Sequence, residues 1–269
     1  MMRVAAIQMN SGADVTANLE QAGRFIAQAA RAGARLVALP ENFACMPAAD
    51  HAIAAVAEED GRGPIQEFLA AQARAHELWL IGGTAPLRGP SDKVCASCLM
   101  FGPDGRLAAR YDKMHLFDVD LTGGESYRES TQFAAGDRVV VCETPFGRVG
   151  LAVCYDLRFP ELFRAMLAGG VDLIALPSAF TAQTGRVHWE VLVRARAIEN
   201  SAYVVAPDQC GRHASGRTTH GDSMVVSPWG EVLDRLPAGT GYAIAEIDSA
   251  ELARVRERLP SLRHRRINA

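Results

Sequence analysis

A chain of 269 residues with 49% hydrophobic and 22% charged side chains carries enough apolar material for a large packed core, which excludes an intrinsically disordered protein. Its formal net charge of −3 leaves no electrostatic footprint for nucleic acid, and the basic end Arg263-His264-Arg265-Arg266 is short enough to read as a solvated tail. No apolar run approaches the roughly 20 residues of a transmembrane helix, and six cysteines in a chain this long do not make a disulfide framework.

The stretch MMRVAAIQMN enters a strand pattern at once, with no apolar h-region or small-residue cleavage site. The expectation is a soluble cytoplasmic protein with reduced thiols. Val4–Gln8 reads as the first strand. Val15, Leu19, Ala22, Ile26 and Ala29 then repeat at helical spacing after Asp14, a residue suited to an N-cap. Leu36–Leu39 is a short apolar strand stopped by Pro40-Glu41-Asn42, and a helix over about Pro64–His76 leads to the strand Trp79–Gly82. A hairpin follows: Val94–Phe101, a Gly-Pro-Asp-Gly turn, and Arg106–Tyr111. Asp112–Asp137 shows little periodicity, and so long a loop in a compact domain is either functional or disordered.

Strands return at Val139–Glu143 and Val149–Val153. Next come a helix over Phe159–Ala168, the strand Leu173–Leu176, and a helix Val187–Asn200 with Glu190 and Arg194 one turn apart on its outer face. Tyr203–Ala206, Ser223–Ser227, Glu231–Leu233 and Tyr242–Ile247 are the last strands, ahead of a charged final helix. No repeat, linker or low-complexity segment interrupts the alternation, so residues 1–269 read as one α/β domain.

The residues able to do chemistry sit where strands end. Glu41 follows Leu36–Leu39, Ser178 follows Leu173–Leu176, Lys113 follows Arg106–Tyr111, and Cys154 closes the apolar run of RVGLAVCYDLRFPE. Ligands of open α/β sheets bind outside the carboxyl ends of the strands. A strand that runs through Cys154 into a helix led by Pro160 exposes a thiol beside backbone N–H groups, as a nucleophile elbow does. By itself a strand-end cysteine is more often inert core. With an ammonium to lower its pKa and a carboxylate to move protons, the same thiol becomes a nucleophile.

Other constellations lead elsewhere. Cys95 and Cys98 have redox-motif spacing, but residues i and i+3 of a strand point to opposite faces. Cys210, His213, His220 and Asp222 match no usual four-ligand zinc spacing, and no G-x-G-x-x-G or Walker A stretch indicates a nucleotide. No cofactor and no metal are expected.

The segments LVALPENF (Leu36–Phe43), YDKMHLFDVD (Tyr111–Asp120) and GLAVCYDLRFPE (Gly150–Glu161) resemble the signature blocks of the nitrilase superfamily of carbon–nitrogen hydrolases, in the family's order. The resemblance continues through PSAF, HWEVLVRARAIEN, GDSMVVSPWGEV and LPSLRHRR, and so covers nearly the whole chain. CYDLRFPE, AQTGRVHWE, QCGRH and the HRR ending are most similar to the Nit branch, and within it to deaminated-glutathione amidases, with ω-amidases as close relatives. True nitrilases tend to carry Trp-Glu after the cysteine, where this chain has Tyr155-Asp156.

The resemblance implies a nitrilase-type four-layer αββα sandwich that dimerises to αββααββα, as a homodimer or higher even-numbered oligomer, with no nucleic-acid or membrane partner. It implies Cys154 as nucleophile, Glu41 as general base and Lys113 as catalytic lysine. A supporting glutamate falls in a Glu-Ser pair late in the long loop. Two such pairs occur, and the count from Gly123 points to Glu129, with Glu125 the alternative. The implied reaction is attack on a primary amide of a small carboxylate-bearing substrate, with an oxyanion held by Lys113 and the Tyr155 N–H, ammonia leaving as a thioester forms, and hydrolysis of that thioester. Arg158 is the candidate for the substrate carboxylate, against a salt bridge to Asp156 or Glu161, while Phe180 and Thr184 are candidates for a wall and a hydroxyl. Deaminated glutathione is the leading substrate and an ω-amide of an α-keto acid the alternative. A non-catalytic binding role is the third reading, which loss of Glu41, Lys113 or Cys154 would have favoured.

Overall fold

The computed structural model describes residues 1–46, 52–121 and 126–267. Two mixed sheets form its middle. The first runs Gly241–Ile247, Met2–Gln8, Ala34–Ala38, Trp79–Ile81, Val94–Phe101, Ala85–Arg88, with Leu107–Asp112 also paired to Val94–Phe101. The second runs Val232–Leu236, Ser223–Val226, Tyr203–Ala206, Leu173–Ala175, Gly147–Leu151, Val141–Thr144. Each has a parallel centre: Met2–Gln8, Ala34–Ala38 and Trp79–Ile81 in one, Gly147–Leu151, Leu173–Ala175 and Tyr203–Ala206 in the other.

Period-two alternation explains the layering. Val4, Ala6, Leu36 and Ala38 enter the core shared with the second sheet, whereas Ala5, Ile7, Val37 and Leu39 join Ile26 and Leu69 of the covering helices. On the second sheet Gly150 faces the helix Pro160–Met166 so closely that a Cβ there would lie 2.7 Å from the Met166 sulfur. Trp189 and Val193 of the helix Ala182–Asn200 belong to the same core. Helix, sheet, sheet, helix is therefore the order of layers, the αββα sandwich the family blocks imply. The fully apolar strands are those with a covered face on both sides.

Local chemistry sets the helix ends. The side chain of Asp14 accepts from the Ala17 N–H at 3.1 Å and caps Val15–Arg31, whose Ala22, Ile26 and Ala29 are buried at helical spacing. Pro64 and Pro160 stand in the first turns of Pro64–Ala75 and Pro160–Met166, where a missing N–H costs nothing.

The structure departs from expectation where elements are short. The strand ahead of the cysteine ends at Leu151 rather than Val153. Ala85–Arg88 is a strand although it contains Pro86, which is tolerated because this strand lies on the sheet's edge. The stretch expected as an aperiodic loop holds the paired strands Asp118–Asp120 and Ser126–Arg128 and a 3-10 turn, Glu129–Thr131. The helix expected from Val187 starts at Ala182, capped by the Thr181 hydroxyl. All six cysteines are free thiols. Cys98 lies in the inter-sheet core. Burial first, and the charge of Asp156 second, push its thiol up, so it is an unreactive group. No helix among the described residues is long and apolar enough to cross a membrane.

Candidate active site

Glu41 is placed by the end of a parallel strand. The ladder continues past Ala38 through the Leu39 N–H, which donates to Ile81 O at 2.9 Å, and Pro40 then turns the chain. Gly83, at φ 53°, packs against this turn, and a Cβ there would lie 2.0 Å from the Pro40 oxygen. A side chain at 83 would displace the main chain next to Glu41. The Glu41 carboxyl is buried, 3% exposed.

Lys113 follows the strand Leu107–Asp112. Its N–H donates to Ala96 O at 3.0 Å and its carbonyl accepts from the Gly136 N–H at 2.9 Å, so both main-chain groups are fixed. The ammonium donates to Glu41 Oε1 at 2.7 Å and to both Glu129 oxygens at 2.9 Å. Glu129 also accepts from the Phe117 N–H at 2.6 Å. Glu129 is beside Lys113, and Glu125 lies outside the described residues. Burial alone would discharge the lysine, but the Glu129 and Glu41 carboxylates outweigh it and hold the pKa above the ordinary range. Burial raises Glu129, with Lys113 pulling it down and Glu41 pushing it up.

Cys154 stands at a strained corner. The main-chain ladder runs on through the Ala152 N–H to Ala175 O at 3.0 Å and the Cys154 N–H to Pro177 O at 2.9 Å. Cys154 then takes φ 47°, in the left-handed region, and opens the 3-10 helix Cys154–Arg158. A non-glycine residue in that region costs of order 1–3 kcal/mol and persists only where its surroundings impose it. Here Asp156 imposes it. Fully buried, it accepts from Tyr111 Oη at 2.7 Å, the Val153 N–H at 2.8 Å and the His115 N–H at 3.1 Å, and it meets His115 Nδ1 at 2.6 Å. Asp156→Asn turns one acceptor into a donor facing donors. It is expected to cost about 3 kcal/mol, read as a lowered urea midpoint, and an unchanged midpoint would mean that Asp156 does not brace the corner.

The thiol does not behave as the sequence suggests. Lys113 and the Ala179 N–H favour the thiolate, but burial first and Glu41 second push the Cys154 pKa well above 9.0. The Tyr155 N–H, second in the 3-10 helix, belongs to a first turn whose donors lack intrahelical acceptors.

Glu41, Lys113, Cys154 and Glu129 meet in one cavity of about 280 Å³, whose wall also includes Tyr155, Arg158, Phe180 and Thr184. Arg158 has no carboxylate partner among the described residues, neither Asp156 nor Glu161. It meets His188 Nδ1 at 3.1 Å and stacks on Phe180 at 5.1 Å and Tyr155 at 5.9 Å. Thr184 lies in the first turn of Ala182–Asn200 rather than in a loop, and shares a hydroxyl bond of 2.8 Å with Thr181. Ser178 is not in the wall, since its hydroxyl donates to Leu176 O. The residues proposed against as zinc ligands have other partners: His213 lies between Ser11 O and the Thr219 hydroxyl, and Asp222 is paired with Arg235.

Phe117, Tyr127 and Arg217 also line the cavity. Phe117 meets Tyr155 at 5.0 Å and Tyr127 at 5.2 Å, an aromatic wall beside the thiol. The aromatic residues of the long loop were the available signal for the first two, and nothing in the sequence marks Arg217.

This arrangement of a thiol, a carboxylate and an ammonium just beyond strand ends is the set that a cysteine-dependent hydrolase needs, and comparison assigns its class. The carbon–nitrogen hydrolase profile matches residues 3–257, and the chain belongs to that family, whose members hydrolyse carbon–nitrogen bonds. It is 42% identical to a deaminated glutathione amidase of Synechocystis over 97% of both chains. It is 38% identical to a human ω-amidase over 98% of this chain and 95% of that one. The NitFhit protein of C. elegans superposes with a TM-score of 0.91 at 38% identity; the match covers 98% of this chain and 65% of that longer one.

Proposed function

We propose that the chain is an amidase acting on deaminated glutathione through a thioester on Cys154. The observation that carries this reading is the buried Glu41–Lys113–Glu129 chain of hydrogen bonds in one cavity with a left-handed Cys154. The relatives named deaminated glutathione amidase support the substrate. That substrate is glutathione with its glutamyl amino group replaced by an oxo group. Its γ-amide joins a 2-oxoglutaryl group to the amine of cysteinylglycine, and each end bears a carboxylate.

Glu41 takes the thiol proton as the Cys154 sulfur bonds to the amide carbon. The carbonyl electron pair moves to oxygen, which receives hydrogen bonds from the Lys113 ammonium and the Tyr155 N–H. Glu129 holds Lys113 charged and in place. When the oxyanion collapses the C–N bond breaks, and Glu41 returns its proton to the leaving amine. Water, deprotonated by the same carboxylate, then releases 2-oxoglutarate and restores the thiol. The leaving group is ammonia when the amide is primary, as the sequence reading had it, and cysteinylglycine when it is the γ-amide. Arg158, with no carboxylate partner among the described residues, takes the carboxylate of the acyl group, with Phe180 beneath its guanidinium and Thr184 in the same wall.

The human ω-amidase relative favours a second reading, in which the acyl donor is α-ketoglutaramate. Both substrates yield 2-oxoglutarate, so one assay compares them. The kcat/KM for deaminated glutathione is expected to be at least about tenfold the larger; the reverse order would assign the chain to ω-amides.

Residues 1–269 act as one domain and associate as a homodimer in this reading. Val187 and Val191, one turn apart on Ala182–Asn200, are 68% and 66% exposed, an apolar stripe suited to a second copy. Six free thiols suit a reducing cytoplasm.

A further inference from the structure

The cavity holds more positive charge than its own carboxylates match. Glu41 and Glu129 are both engaged by Lys113. Arg128, also in the wall, is held bidentate by Asp120 at 2.8 Å. Two guanidinium groups remain, Arg158 and Arg217, and neither has a carboxylate within 4.0 Å among the described residues.

Arg217 is held in place without being neutralised. It precedes the strand Thr218–His220 in a tight turn closed by the His213 N–H to Arg217 O bond of 2.8 Å. One Nη2 donor reaches Ala179 O at 2.5 Å, and the guanidinium lies over the Tyr127 ring at 5.2 Å. Its Nε is shielded from solvent and has no acceptor among the described residues. Asp208, a carboxyl it acts on electrostatically, is fully buried, bonded to the Phe180 N–H, and pushed well above the ordinary carboxylate range, chiefly by burial. His213 is held down by burial and is neutral as well. A stacked arginine keeps its donor edge free for a planar anion. Orphaned N–H groups and an unmatched charge in a cavity are costly unless a ligand meets them.

The two arginines contact neighbouring residues of the segment that borders the thiol. Arg158 stacks on Phe180 and acts electrostatically on Cys154, whereas Arg217 grips the Ala179 carbonyl and rests on Tyr127. We infer that Arg217 binds a carboxylate on the leaving-group side of the substrate, so that the cavity selects amides bearing a carboxylate at each end. Arg217 is a specificity-determining residue, not a catalytic one. The inference rests on the amidase reading above and adds to it a second anionic subsite, which a mono-carboxylate ω-amide leaves empty.

The test compares deaminated glutathione with its analogue whose glycine carboxyl is converted to an amide. In the wild-type chain, kcat/KM is expected to favour the free carboxylate by roughly 10–100-fold, almost wholly through KM. In Arg217→Gln that ratio is expected to collapse to about one, with partial recovery in Arg217→Lys. A ratio near one in the wild type, or an undiminished ratio in Arg217→Gln, overturns the inference, and so does an equal loss on both substrates. Calorimetric binding of the same pair to Cys154→Ala and to Cys154→Ala/Arg217→Gln reads the subsite without turnover. Failure of the wild type to release 2-oxoglutarate would remove the substrate reading, while equal binding of the two compounds to Cys154→Ala would remove the Arg217 subsite.

Discussion

Cys154→Ala is expected to lower 2-oxoglutarate release from deaminated glutathione at least about 10⁴-fold, the scale of loss when a covalent nucleophile is removed. Among the described residues Cys154 is the cavity's single thiol. The variant is expected to keep its fold, because the corner at φ 47° is braced by Asp156 and by the Cys154 N–H to Pro177 O bond rather than by the sulfur. Far-UV circular dichroism and thermal unfolding check this in the same preparation. Retained turnover in a folded Cys154→Ala chain would contradict the thioester route.

Lys113→Met is expected to cost both catalysis and stability. An oxyanion donor is worth about 10²–10³ in rate, and Glu41, the base of the proposed mechanism, loses its hydrogen bond from Lys113. The ammonium is also the counter-charge of two carboxyls, one of them 3% exposed. Removing one partner of a buried ion pair costs about 3–5 kcal/mol, here a fall in Tm of roughly 10 °C. The pH dependence has a definite sign. Burial already raises the Glu129 pKa and Lys113 holds it down, so the substitution lets it climb further. A carboxyl whose folded pKa is raised is least destabilising below its unfolded value of 4.5 and penalises folding increasingly as pH rises toward the folded value. The Tm gap between variant and wild type is therefore expected to narrow from pH 8 toward pH 5. A constant gap would mean that Glu129 does not take up a proton when its partner is lost.

Much of this site is legible in the amino-acid sequence because each of its central residues follows a strand. Apolar runs that stop at Pro40-Glu41 and at Cys154-Tyr155, and Lys113 just past Arg106–Tyr111, place three groups beyond strand ends, two on the first sheet and one on the second. What is not legible depends on distances across the fold. Ser178 ends a strand in the same way, yet its hydroxyl turns back to Leu176 O. Lys113 does pull the thiol pKa down, but burial and Glu41, both consequences of packing, outweigh it. Arg217 lies 63 positions beyond the nucleophile in a turn with no recognisable pattern, and only the approach of Ala179 and Tyr127 brings it to the cavity. The strands Asp118–Asp120 and Ser126–Arg128 are three residues each, too short to show a period.

Mass spectrometry of enzyme quenched in acid during turnover of deaminated glutathione tests the central claim most directly. A 2-oxoglutaryl adduct mapped to the Cys154 peptide, absent from Cys154→Ala and hydrolysed on a chase without substrate, is the expected result. An unmodified Cys154 during rapid turnover, with the acyl group found on another residue, would contradict it.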